Sequence, residues 1–153
     1  MSGERARTFL MEHGISYETR AHPKAFTVGE IAEAEQMPGE QMAKVVMVHS
    51  DEGLVMAVVP GNRRLDLEKA KTALDSTEVR LATETEFSPH FPDCEVGAEP
   101  PFGALYGVPM LVDSTLRSEE ITFNAGTHTE TLTMALSDYL ELTKPRRVDL
   151  AVV

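Results

Sequence analysis

Two hydrophobic periods alternate along this chain of 153 residues. Apolar residues at helical spacing, with capping residues at the segment ends, predict helices. The predicted helices are about residues 3–13, Glu30–Gln36, Asp66–Leu74, a helical turn that opens at Thr83 and stops before Pro89, and Ser137–Leu142. Thr27 and Glu30 have the spacing of a capping box at the start of the second helix, and Gly14 follows the first helix as its C-cap.

Short runs of apolar and β-branched residues predict six or seven strands. They lie at Ile15–Thr19, Ala43–His49, Leu54–Val59, Val79–Leu81, Val108–Val112, Ile121–Phe123 and Thr131–Met134. We expect residues 50–53 to form a hairpin turn. The strands do not alternate regularly with the helices, which argues against a doubly wound parallel sheet. The pattern therefore predicts an α/β (α+β) fold with a mixed, strongly curved, barrel-like sheet and surrounding helices.

The composition is that of an ordinary globular domain, with 42% hydrophobic and 25% charged residues. No repeat, linker or low-complexity tract divides the chain, so we expect one domain over residues 1–153. Its apolar runs are too short to cross a bilayer, and its first residues lack the apolar core of a signal peptide. These features predict a cytoplasmic protein that does not bind membranes.

The formal net charge of −11 argues against nonspecific binding along a nucleic-acid backbone, where protein cations must replace counterions. It leaves open a contact with one end of a nucleic acid through a small basic patch. Arg63 and Arg64 follow a predicted strand. They form either a solvated turn or a pair suited to phosphate contacts.

The residues most often used in catalysis form no recognisable centre. Cys94, the single cysteine, lies between Asp93 and Glu95, whose carboxylates disfavour a thiolate, so we expect a structural role. The five histidines have no metal-ligand spacing, and we expect no metal. The chain has no nucleophile elbow, phosphate-binding loop or dinucleotide fingerprint, and we therefore expect no cofactor.

Lys44 is unusual because it interrupts the apolar run from Met42 to Val48. Burying an ammonium group is costly, so such a lysine either reaches the edge of the structure or meets an anion. It therefore points to solvent from the outer face of the sheet, or it is a fixed cation facing a pocket, where it can stabilise a developing negative charge.

Residues 96–103 contain two glycines and two prolines among apolar side chains. Glycine lets a ligand approach the backbone, and proline stiffens the loop, as a small-molecule pocket requires. A tight connection between strands is the alternative. Later in the chain, His128 lies in a hairpin-like turn, where it is either a surface residue or a substrate contact.

Several of these segments occur in an order that resembles the YbaK-like family of aminoacyl-tRNA editing domains, which includes the editing insertion of bacterial prolyl-tRNA synthetases. The similarity runs from about Arg5 to Pro145. The matching segments are Ala43-Lys44-Val45-Val46, residues 59–67, residues 97–103, Val112-Asp113 and Phe123-Asn124-Ala125-Gly126-Thr127. The lysine, the Gly-x-x-x-Pro loop and the late Asn-Ala-Gly turn are specific only in combination.

The resemblance implies a single domain around a barrel-like mixed sheet that hydrolyses the ester joining a wrong amino acid to the 3′ end of a tRNA. Lys44 corresponds to the functionally essential lysine of the family. Residues 97–101 correspond to the loop that lines the aminoacyl pocket and orients the attacking water. The substrate-binding residues that it implies are Phe26, Thr27, Gly97, Ala98, Glu99, Pro101, Gly103, Asp113, Asn124, Gly126, Thr127 and His128.

We therefore expect a free-standing trans-editing deacylase that needs only a positioned water, Lys44 and the backbone of residues 97–101. A non-catalytic module that binds an aminoacyl or nucleotide ligand, or a protein, is the alternative. The expected partner is the acceptor end of a mischarged tRNA, with recruitment by an aminoacyl-tRNA synthetase or elongation factor. Glu99 departs from the small residue or serine of many relatives. We expect it to face solvent rather than to contact a substrate amine.

Overall fold

A computed structural model describes residues 4–22, 30 and 37–153. Four complete α-helices lie within these residues: α1 (Glu4–Glu12), α2 (Leu67–Leu74), α3 (Glu84–Phe87) and α4 (Leu136–Thr143). The described strands are β1 (Glu18–Ala21), β2 (Ala43–Ser50), β3 (Gly53–Pro60), β4 (Arg64–Leu65), β5 (Val79–Leu81), β6 (Met110–Asp113), β7 (Glu120–Asn124), β8 (Glu130–Ala135), β9 (Arg146–Val148) and β10 (Ala151–Val152). None of the described helices is both long and apolar enough to cross a membrane.

The largest sheet has five strands in the order β5-β2-β3-β6-β9. Strands β5, β2 and β3 are antiparallel, whereas β6 and β9 are added in parallel, so the prediction of a mixed sheet is confirmed. The β2–β3 hairpin pairs Ala43 with Pro60 at one end and Ser50 with Gly53 at the other. Two residues connect these strands, as the turn signal at residues 50–53 predicts.

The remaining described strands form a three-stranded antiparallel sheet, β1-β8-β7, and a two-stranded sheet, β10-β4. A parallel bridge between Met42 and Thr122 connects the start of β2 to β7. The described strands therefore number ten rather than six or seven, and they form no closed barrel. Strands β4, β9 and β10 are only two or three residues long, so pairing with distant partners, rather than a local apolar run, defines them.

Each face of the five-stranded sheet has its own hydrophobic core. Along β2, Val45 and Met47 pack into a main cluster that contains Phe102. Val46 and Val48 alternate with them and pack into a second cluster, under α2 and the C-terminal segment. This alternation is the period of two that a strand imposes on its side chains.

Aromatic rings fill the middle of the main cluster. The Phe102 ring meets those of Phe9, Phe123 and Tyr139 edge-on, with centroids 6.0, 5.4 and 5.5 Å away. Edge-to-face contacts of this kind add to the free energy of apolar burial. The rings therefore join α1, β7 and α4 to the segment that carries Phe102.

Several predicted elements are confirmed within a residue or two. Helix α2 begins after Asp66, whose carboxylate accepts the Glu68 N–H at 2.9 Å, and α3 opens with the capping box of Thr83 and Glu86. The strand predicted at residues 15–19 is instead β1, shifted toward the C-terminus. Except for Glu30, the predicted capping box and helix of residues 27–36 lie outside the described residues.

Asp113 ends β6 and connects it to the C-terminal segment. The carboxylate is fully buried and accepts the N–H groups of Leu150 at 2.7 Å, Ala151 at 2.9 Å and Thr115 at 3.0 Å, together with the Thr115 hydroxyl. Burial by itself raises the pKa of Asp113, but these hydrogen bonds outweigh it and lower the pKa below its ordinary value. The carboxylate thus stabilises the fold in its ionised form.

We predict that Asp113→Asn lowers the free energy of unfolding at pH 7 by about 2 kcal/mol, because the new amide group opposes the Thr115 N–H and leaves a buried donor unsatisfied. Since the folded-state pKa of Asp113 lies below the unfolded value of about 3.9, its stabilisation is complete above that pH and disappears as the pH falls through the folded-state pKa. Urea unfolding of both proteins from pH 7 to pH 3 measures this. A stability difference that stays constant over the range would contradict the prediction.

Candidate functional site

The glycine- and proline-rich loop of residues 97–101 is paired with the turn that connects β7 to β8. The Glu95 N–H donates to the Gly126 carbonyl at 2.8 Å, and the Gly126 N–H donates to the Ala98 carbonyl at 3.0 Å. Ala98 is fully buried, so these bonds lie in the buried part of the contact between the loop and the turn. The structure therefore brings together two of the segments on which the family resemblance depends.

His128 fastens the same two segments together with its backbone and its ring. Its N–H donates to the Glu95 carboxylate at 2.7 Å, and its Nε2 lies 2.7 Å from the Val96 carbonyl oxygen. A carbonyl oxygen only accepts, so Nε2 carries the proton in this contact. The side chain is 5% exposed, and the interpretation of His128 as a surface turn residue is therefore wrong.

Glu99 folds back onto its own loop. Gly97 has a φ of 87°, in the left-handed region, and its N–H donates to Oε2 of Glu99 at 2.9 Å. Glu99 is only 5% exposed, so the expectation that it faces solvent is wrong. Burial raises the pKa of the Glu99 carboxyl above its ordinary value, although the hydrogen bond from Gly97 opposes this shift.

The C-terminal end of the loop is anchored in the main core. The Tyr139 hydroxyl donates to the Pro101 carbonyl at 2.7 Å, and Phe102 follows in the aromatic cluster. Gly103 then begins a 3-10 helix against the backbone of Val108, where an added Cβ would lie 2.4 Å from the Val108 carbonyl oxygen. Gly103 therefore allows a close backbone approach, and the loop is stiff at this end.

A polar face of the three-stranded sheet adjoins the turn. Thr122 and Thr133 are buried and share a hydrogen bond of 2.7 Å between their hydroxyl groups, and Gln41 Nε2 donates to Thr122 Oγ1 at 3.0 Å. Asn124 is two residues beyond Thr122 on the same face. Its Oδ1 is buried and accepts no hydrogen bond from any described residue. A buried acceptor of this kind can receive a hydrogen bond from a ligand.

Lys44 lies at the start of β2, two residues after the bridge between Met42 and Thr122. Bridged residues point to the same face of a sheet, and the alternation puts Lys44 and Asn124 on that face as well. The half-buried Lys44 donates from Nζ to the Arg63 carbonyl at 2.8 Å. Burial, followed by the positive charge of Arg64, lowers the pKa of this ammonium group.

The other predicted site residues differ in their surroundings. Phe26 and Thr27 lie outside the described residues. Thr127 is partly exposed in the β7–β8 turn, and its hydroxyl lies 3.2 Å from that of Thr129. Asp113 is 0% exposed and uses its carboxylate within the fold. The end of β7 thus carries Asn124, and the turn after it carries Gly126, Thr127 and His128, whereas Asp113 holds the C-terminal segment.

Cys94 is half-buried beside this loop. Burial, together with the charge of Asp93, raises the pKa of its thiol to about 12, although the contact with Tyr106 opposes this shift. A thiol that stays protonated at neutral pH is a poor nucleophile, so the prediction of a structural role agrees with this environment. The described residues also include no group of three His, Cys, Asp or Glu side chains suited to a metal ion.

Sequence patterns do not single out two residues on which this geometry depends. Glu95 accepts the His128 N–H, and Tyr139 binds the Pro101 carbonyl. Their partners are 33 and 38 residues away along the chain. No local spacing could have revealed either contact, and Tyr139 reads simply as an apolar residue of the last helix.

The sequence model of the aminoacyl-tRNA editing domain family matches residues 22–142. The proline–tRNA ligase of Shouchella clausii (strain KSM-K16) is 34% identical over 111 residues, which are 72% of this chain and 19% of the ligase. The multifunctional Ser/Thr-tRNA deacylase ProXp-y of Escherichia coli (strain K12) is 28% identical over 97 residues, 62% of this chain and 58% of the deacylase. The chain thus spans about a fifth of that ligase and less than two thirds of that deacylase.

A solved crystal structure of a proposed trans-editing enzyme for prolyl-tRNA synthetase has the same fold. It superposes with a TM-score of 0.86 at 25% identity, over 99% of this chain and 97% of that one. The crystal structure of the hypothetical protein APE2540 also has a TM-score of 0.86, at 20% identity, over 97% of this chain and 99% of that one. The second likeness concerns the fold alone.

We predict that Gly103→Ala lowers the free energy of unfolding by about 1–3 kcal/mol, because the new methyl group overlaps a backbone oxygen that cannot rotate away. Gly39→Ala is the matched control, since a Cβ there meets Asn62 at an ordinary 3.4 Å. Urea unfolding compares both variants with the parent. Equal stabilities of the two variants would contradict the prediction, because they would mean that the backbone from Gly103 to Val108 shifts at little cost in free energy.

Proposed function

This chain belongs to the aminoacyl-tRNA editing domain family, and on that premise we propose that it is a free-standing deacylase that hydrolyses mischarged tRNA in trans. The observation that carries the proposal is the pairing of residues 95–98 with Gly126 and His128, in the turn that follows β7. The bridge between Met42 and Thr122 joins β7 to the start of β2, which bears Lys44. A stiff backbone loop, a buried amide oxygen and a half-buried ammonium group on adjacent elements are what a small aminoacyl pocket requires.

The proposed reaction needs little chemical apparatus. An aminoacyl ester is already an activated acyl group, so a positioned water can attack its carbonyl carbon without a serine or cysteine nucleophile. The bond between that carbon and the ribose oxygen then breaks. One proton of the attacking water passes to the ribose oxygen and the other to solvent, and the amino acid leaves as a carboxylate. The neighbouring ribose hydroxyl assists the proton movement.

Lys44 supplies the positive charge in this scheme. Among the described residues, its Nζ makes one hydrogen bond, to the Arg63 carbonyl. An ammonium group has three donors, so we propose that the others bind substrate oxygens. We assign it two roles: it anchors the terminal phosphate or ribose region, and it stabilises the negative charge of the transition state. The half-buried setting strengthens both interactions, because less water screens them.

The loop of residues 97–101 supplies rigidity. Pro100 and Pro101 have restricted φ angles, Tyr139 holds the Pro101 carbonyl, and the turn at Gly126 holds Ala98. We propose that this backbone positions the water and the ester carbonyl, and that the buried Asn124 Oδ1 accepts a hydrogen bond from the aminoacyl group. Such preorganisation favours the transition state because no rearrangement is needed during the reaction.

The relatives suggest which esters to test. One is a proline–tRNA ligase and another is named for action on Ser- and Thr-tRNA, so we propose a tRNA esterified with a small or hydroxylated amino acid as the substrate. A net charge of −11 predicts weak binding to tRNA by this chain alone. We therefore propose recruitment by an aminoacyl-tRNA synthetase or elongation factor.

One observation favours a second candidate, a binding module without catalysis. The Gly97 N–H, which could otherwise hold a substrate carbonyl, is occupied by the Glu99 carboxylate at 2.9 Å. If Glu99 keeps this bond when ligand is present, the loop can hold an aminoacyl or nucleotide ligand, or a protein, without activating an ester.

Turnover on a panel of charged tRNAs separates the two candidates. We predict that the protein, at a hundredth of the substrate concentration, releases free amino acid over many turnovers from at least one mischarged tRNA of a panel carrying Ser, Thr, Ala and Pro. Simple aminoacyl esters run in parallel, and faster hydrolysis of these than of any charged tRNA would indicate a different ester hydrolase. Binding in a one-to-one ratio without release of amino acid would favour the binding module.

We predict that Lys44→Met, which keeps the apolar stem and removes the charge, lowers kcat on the preferred mischarged tRNA by about 10²-fold. Lys71→Met, which removes a positive charge from α2, should leave kcat unchanged. Initial rates of amino acid release measure both variants, and circular dichroism checks that they fold. The assigned role of Lys44 fails if its variant keeps the parent rate.

We predict that Gly97→Ala lowers deacylation by about 10²-fold, because a side chain at a φ of 87° displaces a loop that must hold its geometry closely. Gly14→Ala is the matched control, since Gly14 also has a positive φ, 66°, but lies after α1 in open space. Both substitutions cost about 1–2 kcal/mol of stability through the same backbone strain. Similar activity in the two variants would contradict a role for the loop in hydrolysis.

A further inference from the structure

Two arginines of this acidic protein lie close together in space. The chain has 14 lysines and arginines against 25 acidic residues. Arg63 and Arg117, which are 54 positions apart in sequence, nevertheless line one cleft of about 390 Å³, and Arg64 acts electrostatically on nearby Lys44. A local excess of cations against a negative net charge indicates a site for an anion.

The walls of the cleft are polar and are held by the fold. Thr115, Ser118 and Glu40 complete the lining around Arg63 and Arg117. The Thr115 hydroxyl donates to buried Asp113, and Ser118 Oγ donates to the Glu40 carbonyl at 3.3 Å. Arg117 is attached to the same loop through Nε, which lies 3.4 Å from the Ser114 carbonyl. This contact holds the base of the guanidinium group, and its terminal nitrogens have no partner among the described residues.

Neither arginine is neutralised within the described part of the chain. No carboxylate of a described residue lies within ion-pair distance of the Arg63 or Arg117 guanidinium group, although exposed Glu40 shares the cleft. Two guanidinium groups, each with several N–H donors, match the oxygens of a phosphate better than they match an apolar ligand. With two arginines and one glutamate in its lining, the cleft has a positive net charge.

The cleft also adjoins the lysine of the candidate site. The same residue, Arg63, lines the cleft with its side chain and accepts the Lys44 Nζ hydrogen bond with its carbonyl oxygen. A strand of nucleic acid whose terminal ribose reaches Lys44 would pass a preceding phosphate over the cleft. Arg63 therefore connects the basic cleft to Lys44, beside which the proposed function puts the ester.

We propose that the cleft between Arg63 and Arg117 binds a phosphodiester of the tRNA 3′ strand and guides its end toward Lys44. The proposal rests on the proposed function for the identity of the nucleic acid. Its chemistry, binding of a phosphodiester through guanidinium donors, is independent of whether an ester is hydrolysed. Because the contact reads the backbone, it should act on tRNAs of any sequence.

Binding of a fluorescent, uncharged acceptor-stem minihelix with a single-stranded 3′ end tests the cleft. We predict that Arg117→Gln weakens binding about fivefold and reduces the slope of log K against log salt by about 0.7, the value for one lost phosphate contact on a single strand. Arg63→Gln should act in the same way, since it keeps the carbonyl that holds Lys44. Arg146→Gln, an exposed arginine that lines another cavity, should have no effect.

Aminoacyl-adenosine, which has no phosphodiester, separates this proposal from the proposed function. The Arg117→Gln variant should hydrolyse it at the parent rate while its KM for mischarged tRNA rises. If no ester is hydrolysed at all, the deacylase proposal fails. The minihelix measurement then still tests whether the cleft binds a phosphodiester. Equal affinities and salt slopes for Arg117→Gln and Arg146→Gln would overturn the cleft proposal, as would an effect confined to binding of AMP or of an acidic peptide.

Discussion

The backbone pairing of residues 95–98 with the β7–β8 turn is the constraint on which the candidate site depends. These hydrogen bonds hold a loop that would otherwise have no regular partner, and they do so in a buried setting where an unpaired amide would be costly. His128 and Glu95 reinforce the pairing from the turn side. Tyr139 and the Phe102 ring hold the far end of the loop in the main core. The loop is therefore rigid because two independent parts of the fold hold it.

The net charge of the protein is negative, and the surroundings of three charged groups shift their pKa values. Burial and Arg64 lower the pKa of the Lys44 ammonium group, whereas burial raises the pKa of Glu99 and hydrogen bonds lower that of Asp113. The direction of each shift follows from what surrounds the charged form. Asp113 is fully satisfied and serves stability. Lys44 Nζ donates to the Arg63 carbonyl, and the Arg63 side chain lines a cleft together with Arg117.

Elements with strong local signals were predicted well, and those without them were missed. Helix α2 has its Asp66 cap and apolar spacing, and the β2–β3 hairpin has two apolar runs around a short turn. Strands β9 and β10, in contrast, exist because Arg146–Val148 pairs with β6 and Ala151–Val152 pairs with β4. Such short segments carry no periodicity of their own. The barrel-like sheet was expected both from the strand pattern and from the family resemblance, and the described strands instead form three sheets with no closed barrel.

The sequence by itself determined the local elements, the family and two of the candidate groups, Lys44 and the loop of residues 97–101, because these depend on spacing and on residue types that are close together along the chain. Only the tertiary structure decided that Glu99 and His128 are buried, and that Asp113 is used within the fold. It also decided that Arg63 and Arg117 share a cleft. The physical reason is that burial and hydrogen-bond satisfaction are set by neighbours in space. For these side chains, most of those neighbours are tens of residues away along the chain.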